Sequence, residues 1–243
     1  MARVHGERSE YLIQEEKKAR LLFWYSGFLL ITSCLVYLPL SFIYRKNNFI
    51  SLIVLLVFWA IGIVLAVFAE RQSRKVIKYF NGKKAEYNIF FRLLKLSKDF
   101  HLLQSLIING KSNIDFVVVG PTGIFAIEVK SHKGFIVFNG GELTRGGKPF
   151  EKDFLSQTMK GAININGLIK KEIGKDFFVQ PILVFSNIYR KLIFKEENIN
   201  RVFVVSNNSL NRRIYKNHFK FSKEEVNRVV EALEKYQESE LER

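Results

Sequence analysis

Cysteine is nearly absent from this chain, and histidine is scarce and scattered. The single cysteine, Cys34, excludes an intrachain disulfide and any metal site built from several thiolates. The four histidines lie far apart, without the spacing of metal ligands, at His5, His101, His132 and His218. Internal repeats and low-complexity segments are absent as well. The sequence therefore excludes a disulfide-stapled scaffold, a cysteine-based metal site and a repeat architecture.

Charged residues are absent from two long stretches of the chain. Residues 21–44 contain none over 24 positions, and residues 49–69 contain none over 21. At about 1.5 Å per residue, helices of these lengths extend about 36 Å and about 31 Å, whereas the bilayer core is about 30 Å thick. Two buried core helices are the alternative, but uncharged runs of this length are typical of membrane spans. The sequence thus predicts a transmembrane helical hairpin over residues 21–69.

The flanking charges orient this hairpin. A cleaved signal peptide does not fit, because the first apolar run is too long and follows a polar segment over 1–20. The loop between the runs carries two basic residues, whereas residues 1–20 and 70–84 together carry eleven. The positive-inside rule then places both chain termini in the cytoplasm. We therefore predict a protein of the cell (inner) membrane with two spans. Its N-terminal segment and its domain over 85–243 are expected in the cytoplasm, and a basic juxtamembrane helix is expected over 70–84.

Acidic residues are outnumbered, and the surplus of positive charge is unevenly distributed. The chain has 38 Lys and Arg against 23 Asp and Glu, a formal net charge of +15. Residues 70–84 carry six basic residues and one acidic residue, which suits attraction to anionic lipid headgroups. The surplus that remains in residues 85–243 favours a polyanionic partner such as nucleic acid. The expected partners are therefore a lipid bilayer and a nucleic acid.

The remainder of the chain alternates between helical and strand patterns. The helix that leaves the second span is expected to loosen near Asn81-Gly82 and to resume with Glu86 at its start. Asp153 suits the N-cap of a helix over 153–173, and Ser222 with Glu225 forms a capping box before a terminal helix. Apolar runs predict strands over 101–108, 134–139, 181–187 and 201–207, and a strand pair within 113–134. This order predicts an α/β sandwich.

Charged side chains interrupt the strand pair in NIDFVVVGPTGIFAIEVKSHKG, residues 113–134. If Pro121-Thr122 is a two-residue hairpin loop, Asp115 falls opposite Glu128 on the same sheet face. Lys130 shares that face, because side chains alternate with period two along a strand. A one-residue bulge at Gly123 is the alternative, and it would shift this register.

Two neighbouring carboxylates repel each other unless a cation lies between them. Hard divalent ions such as Mg²⁺ prefer oxygen ligands and are commonly held by one or two carboxylates. A lysine beside such an ion can orient or deprotonate a water molecule. The alternative, on the residues alone, is a structural Glu–Lys ion pair at the end of a sheet, because this spacing occurs by chance in many proteins.

This stretch, together with the preceding helix that bears Glu86 and the later FLSQ that ends at Gln157, resembles the nuclease-related domain (NERD) family. That family belongs to the PD-(D/E)xK restriction-endonuclease-like superfamily, and the resemblance covers residues 82–206. It implies a mixed sheet flanked by helices and metal-dependent hydrolysis of phosphodiester bonds, with Mg²⁺ or Mn²⁺ as cofactor. By this resemblance Asp115 and Glu128 bind the metal, Lys130 serves the attacking water, and Gln157 orients substrate or water.

Glu86 resembles the acidic residue on the first helix of the family. The family's G-x-x-G-E signature is replaced here by NGKKAEY, so a solvated charge at a helix end is the alternative. Secondary candidates follow the strand pair: His132 could share the face of Lys130, and several basic residues in later turns could contact phosphates, namely Lys133, Arg145, Lys148 and Lys152.

Three functions are compatible with these features. The first is a membrane-anchored, metal-dependent nuclease that acts on DNA. The second is a non-catalytic, membrane-tethered module that binds nucleic acid or a protein through the same fold. The third makes the hairpin itself an oligomerising element, because small residues let helices approach closely, as at Gly27, Ser33, Gly62 and Ala66.

Overall fold

The computed structural model describes residues 3–5, eight positions between 21 and 39, and residues 48–108, 112–132, 134–139, 141–186 and 198–241. The chain divides into two compact units. One is Ser9–Asn81, and the other is Gly82–Arg243 together with Met1–Arg8. The second unit contains the predicted α/β fold.

Helix dominates the described residues of the first unit. The described positions between 21 and 39 are helical, and helix α1 runs without a break over Asn48–Leu93. The expected loosening near Asn81-Gly82 is therefore wrong, because α1 continues through it. Most of the first apolar run lies outside the described residues. Among the described residues, no helix is long enough and apolar enough to cross a membrane.

The described residues of the second unit include ten short strands in two sheets. They are β1 (Arg3–His5), β2 (His101–Ile108), β3 (Ser112–Gly120), β4 (Gly123–Lys130), β5 (Ile136–Asn139), β6 (Glu142–Arg145), β7 (Lys148–Pro149), β8 (Val179–Phe185), β9 (Asn198–Ile199) and β10 (Val202–Ser206). The main sheet has seven strands in the order β1-β2-β3-β4-β8-β10-β9. Strands β2, β3 and β4 are antiparallel, whereas β4, β8 and β10 run parallel. The predicted mixed sheet is thus confirmed.

A smaller sheet follows β4, with strand order β5-β6-β7. Only β5 was predicted from sequence. Arg145 and Lys148, which we expected in turns, instead lie at the ends of β6 and β7 and pair with each other. Strand β1, which pairs in parallel with β2, was also unexpected within the N-terminal segment.

Three further helices are α2 (Phe154–Ile173), α3 (Leu210–Tyr215) and α4 (Lys223–Leu241). The predicted caps of α2 and α4 are present. The Asp153 side chain accepts a 3.0 Å hydrogen bond from the Ser156 N–H. The Glu225 N–H donates to Ser222 Oγ at 3.2 Å, and the Ser222 N–H donates to Glu225 Oε2 at 3.1 Å. Helix α3 was not predicted.

The main sheet is buried on both faces, which explains the continuous apolar runs of its central strands. One core cluster joins the end of α1 and helix α3 to one face, for example Ile89, Phe125 and Ile214. Another joins α2 and α4 to the opposite face, for example Ala126, Ile165 and Val229. Since Ala126 faces α2, the alternation of β4 places Glu128 and Lys130 on the α2 side as well.

Candidate functional site

The turn between β3 and β4 sets the register of the site. Gly120 pairs with Gly123, and the ladder continues without a shift to Phe116 opposite Ile127. The two-residue loop is therefore confirmed, and the alternative of a bulge at Gly123 is wrong. Gly123 has a φ of 135°, which side chains rarely tolerate, so glycine suits this turn.

Asp115 and Glu128 lie one step beyond the last pair of this ladder. Among the described residues of β3 and β4, main-chain pairing ends at Phe116 and Ile127. Beyond that pair a side chain replaces the main-chain acceptor: Oδ2 of Asp115 accepts a 2.7 Å hydrogen bond from the Val129 N–H. The carboxylate therefore spans the two strands where their backbones cease to pair.

Three side chains meet at Glu128 Oε1. The Lys130 ammonium lies 2.5 Å from this oxygen, and Gln157 Nε2 donates to it at 2.8 Å. Lys130 Nζ also donates to Gln157 Oε1 at 3.3 Å. The side chains of Lys130 and Glu128 are only 15% and 11% exposed, so solvent screens their ion pair weakly. The predicted association of Glu128, Lys130 and Gln157 is thus present as a closed triangle.

Helix α2 supplies both Gln157 and an aromatic support for Lys130. The ring centroid of Phe154, the first residue of α2, lies 4.6 Å from Lys130 Nζ, a cation–π contact. Phe154 also contacts Phe150, with centroids 4.9 Å apart, and His132, with centroids 5.3 Å apart. His132 therefore packs in an aromatic cluster next to the site. Sequence reasoning missed Phe154, although its spacing of three residues from Gln157 places both on neighbouring helical positions.

Negative charge accumulates at Asp115. Burial raises the pKa of its carboxyl well above the ordinary value, and the charges of Glu128 and Glu86 raise that pKa further. The Val129 hydrogen bond and the Lys130 charge act in the opposite direction. Glu86, on α1, is thus close enough to influence the site electrostatically. No three Cys, His, Asp or Glu side chains of the described residues are close enough together to hold a metal ion.

The secondary basic candidates lie apart from this cluster. Arg145, Lys148 and Lys152 are exposed, and the described contacts do not bring them to Glu128 or Lys130. Lys133 lies outside the described residues. The compact part of the site therefore consists of Asp115, Glu128, Lys130 and Gln157, together with the charge of Glu86.

Comparison with known proteins is consistent with this geometry. The family model described as nuclease-related domain matches residues 81–186. Searches of curated proteins and of solved structures find no match to this chain. The matched segment contains all five predicted site residues, and the mixed sheet with flanking helices fits a PD-(D/E)xK-like fold. Residues 81–186 are therefore similar to the nuclease-related domain (NERD) family.

Proposed function

We propose that this protein is a metal-dependent nuclease that hydrolyses phosphodiester bonds of DNA while anchored to a membrane. The observation that carries the proposal is the triangle of Glu128, Lys130 and Gln157 beside Asp115, within the segment that matches a nuclease-related domain. The Gln157 amide bonds both partners of the ion pair and so restricts their relative positions. The arrangement suits a site that holds charged groups in a fixed geometry.

The residues present fit a hard divalent cation. Asp115 and Glu128 supply carboxylate oxygens, the ligands that Mg²⁺ and Mn²⁺ prefer. Their described hydrogen bonds use Oδ2 of Asp115 and Oε1 of Glu128, so Oδ1 and Oε2 stay available. The raised pKa of Asp115 reflects burial and uncompensated negative charge, which a cation would offset. When bound, the cation supplies electrostatic stabilisation of the charge that develops on the phosphate.

The side chains of the chain itself account for the other parts of hydrolysis. The Lys130 ammonium can orient a water molecule and stabilise negative charge on the phosphate. Gln157 fixes the positions of Glu128 and Lys130 relative to each other, so that little reorganisation is needed in the transition state. The attacking water loses a proton as its oxygen bonds to phosphorus, the bond between phosphorus and the leaving oxygen breaks, and the leaving oxygen gains a proton.

Charge supports nucleic acid as the substrate class. The net charge of +15 includes exposed Arg145, Lys148 and Lys152 beyond the strand that carries Lys130. Exposed basic groups such as these would neutralise phosphates along a bound strand. The choice of DNA over RNA follows from the likeness to restriction-endonuclease-like enzymes.

Membrane anchoring is supported by apolar surface in the first unit. Its described large apolar side chains are largely exposed, including Trp24 at 75%, Phe28 at 65% and Val64 at 67%. Such surface is unfavourable in water and points to an apolar environment. Together with the two uncharged runs and the flanking basic residues, it supports a hairpin over 21–69 that leaves the nuclease-related domain in the cytoplasm.

The decisive experiment is a cleavage assay with the full-length chain in detergent, since β1 is part of the main sheet. Supercoiled DNA, linear DNA and RNA are incubated with Mg²⁺, with Mn²⁺ or with a chelator. We expect metal-dependent cleavage of DNA, and a loss of at least about 100-fold in Glu128→Gln and Lys130→Met. Lys175→Met is the matched control, because it breaks the exposed Lys175–Glu225 ion pair outside the site.

The rival is a tethered module that binds nucleic acid without cleaving it. It predicts DNA binding with no metal-dependent turnover, and equal binding by the parent and by Asp115→Ala. Cleavage that persists undiminished in both site variants would instead show that the residues are wrongly assigned.

A further inference from the structure

The pairing between β2 and β3 is interrupted at one position. His101 to Gln104 pair with Val119 to Phe116, and Leu106 to Ile108 pair with Ile114 to Ser112. Among these described residues, only Ser105 and Asp115 are left out of the ladder. The register is the same on both sides of the gap, so no residue has been inserted and the feature is not a bulge.

Ser105 adopts an unusual backbone conformation at this gap. Its φ is 51°, in the left-handed region, and the residue is buried at 7% exposure. A non-glycine residue in that region costs about 1–3 kcal/mol and persists only where the surrounding structure holds it. Strain of this kind is often found at functional sites, and this one lies directly across from Asp115.

The gap leaves Asp115 outside the main-chain pairing on both sides. Its partner position on β2 is Ser105, and its partner position on β4 is Glu128; neither residue is paired with Asp115 in the described ladders. The main chain at Asp115 can therefore depart from regular strand geometry. The side chain uses this freedom to reach the Val129 N–H.

A buried glutamine on the last helix holds the peptide that precedes Ser105. Gln237, on α4, is 8% exposed, and its Nε2 donates to the Gln104 carbonyl at 3.2 Å. This carbonyl belongs to the peptide group whose orientation sets the φ rotation of Ser105. Gln237 lies outside the segment that matches the nuclease-related domain. Helix α4 thus contributes a polar contact to the strand behind the site.

We propose that Ser105 and Gln237 are positioning residues for the Asp115 carboxylate. Gln237 fixes the Gln104–Ser105 peptide, the left-handed turn at Ser105 breaks the ladder, and the break lets Asp115 bind the Val129 N–H beside Glu128. The proposal rests on the proposed function only in that Asp115 is there assigned to bind a metal ion. The position of Asp115 itself can be measured without metal or substrate.

The test follows amide hydrogen exchange at Val129 in the metal-free, full-length protein, because this N–H donates to Asp115. Gln237→Met removes the donor and keeps a similar volume. Gln180→Met is the matched control: Gln180 is 5% exposed and its Nε2 donates to the Arg201 carbonyl at 3.1 Å, at the other side of the same sheet. Exchange is normalised to the amides of Val118 and Ile127, which corrects for changes in global stability.

We expect Gln237→Met to accelerate normalised exchange at Val129 by at least about tenfold, with no change in Gln180→Met. Parent-like exchange in Gln237→Met, or equal acceleration in the control, would overturn the role of Gln237. Ser105→Gly should preserve protection, since glycine adopts positive φ freely, whereas Ser105→Val should lose it. Full protection in Ser105→Val would overturn the role of Ser105.

The cleavage assay then separates this inference from the proposed function. If Val129 exchange responds as expected but the parent cleaves no nucleic acid, the positioning role stands and the nuclease assignment fails. If the parent cleaves DNA and Val129 exchange is insensitive to both residues, the nuclease stands and the positioning role fails.

Discussion

The Asp115 carboxylate accepts a 2.7 Å hydrogen bond from the Val129 N–H at the point where β3 and β4 stop pairing. A side chain here replaces a main-chain acceptor, so the sheet opens without leaving the Val129 N–H unsatisfied. The two strands can separate beside Glu128, and the carboxylate that joins them is the one with the raised pKa. The Asp115 carboxylate therefore both joins the two strands and carries the raised pKa.

The charge on Asp115 should destabilise the metal-free protein at neutral pH. The pKa of the Asp115 carboxyl is raised in the folded state, because the fold favours the protonated form. The stability that this group contributes is therefore fully present below its unfolded pKa of about 3.9, and it is lost as the pH rises through the folded pKa. Asp115→Asn stays neutral and keeps an oxygen for the Val129 N–H. We expect the variant to be more stable than the parent at pH 7.5, and the difference to shrink near pH 4. Each 1 kcal/mol would raise Tm by about 2–4 °C.

Measurement of that difference requires a probe inside the second unit. Both tryptophans, Trp24 and Trp59, lie in Ser9–Asn81, so tryptophan fluorescence does not report on the sheet. Thermal unfolding in a chelating buffer is better followed by circular dichroism or by exchange of β3 and β4 amides. An Asp115→Asn protein that is less stable than the parent at pH 7.5 would contradict the expectation.

Breaking the Glu128–Lys130 pair should cost more than removing both charges. Lys130→Met leaves a carboxylate that is only 11% exposed without its 2.5 Å cationic partner. We expect a loss of about 1–3 kcal/mol, and partial recovery when Glu128→Gln is added, because the double variant buries no unpaired charge. Chemical denaturation of the four proteins of this double-mutant cycle provides the measurement.

The control for this cycle is an exposed pair. Lys175 and Glu225 lie 2.6 Å apart, but their side chains are 56% and 32% exposed. Lys175→Met should change the free energy of unfolding by about 0–1 kcal/mol. Equal losses at both pairs would show that burial does not distinguish them.

Gly120 should not tolerate a side chain. A Cβ added there would overlap the ring of Phe100, which is fully buried in the core. We expect Gly120→Ala to destabilise the protein by about 1–3 kcal/mol through overpacking. Gly167→Ala is the control: it lies in α2, nothing lies within 4 Å of its Cβ position, and the change should stabilise by about 0.5–1 kcal/mol. Comparable Tm values for the two variants would contradict this.

Charge placed within the second apolar run should weaken membrane retention. Lysine at the centre of a span costs about 2.5–3.5 kcal/mol per residue. We therefore expect Ile61→Lys/Val64→Lys to shift the protein from the alkali-resistant membrane pellet to the supernatant or to degradation. Ile163→Lys is the control, because Ile163 is an exposed apolar residue of α2, at 61%. A parent protein that alkali extracts from the membrane would overturn the anchoring proposal.

The parts of the site that sequence predicted are those governed by local rules. The GPTG turn sets the register of β3 and β4, and the two-residue period places Glu128 and Lys130 on one face. The caps at Asp153 and Ser222 follow from side-chain chemistry within four residues. Each of these features depends on neighbours along the chain.

The unpredicted parts depend on contacts between distant segments. Strand β1 has three residues, and its pairing with β2 spans almost a hundred positions. Gln237 is an ordinary polar residue of an amphipathic helix until tertiary packing buries it against Gln104. The positive φ of Ser105 has no signal in its own sequence, since serine rarely adopts it.

The position of β1 has a practical consequence for any shortened form of this protein. Residues Arg3–His5 precede the whole of Ser9–Asn81 in the chain but cover the outer side of β2. A fragment that starts after Asn81 would therefore expose the hydrogen-bonding groups of β2 along its outer side. Exposed groups of this kind recruit strands from other molecules, so such a fragment should self-associate, and a short peptide that contains RVH should suppress it.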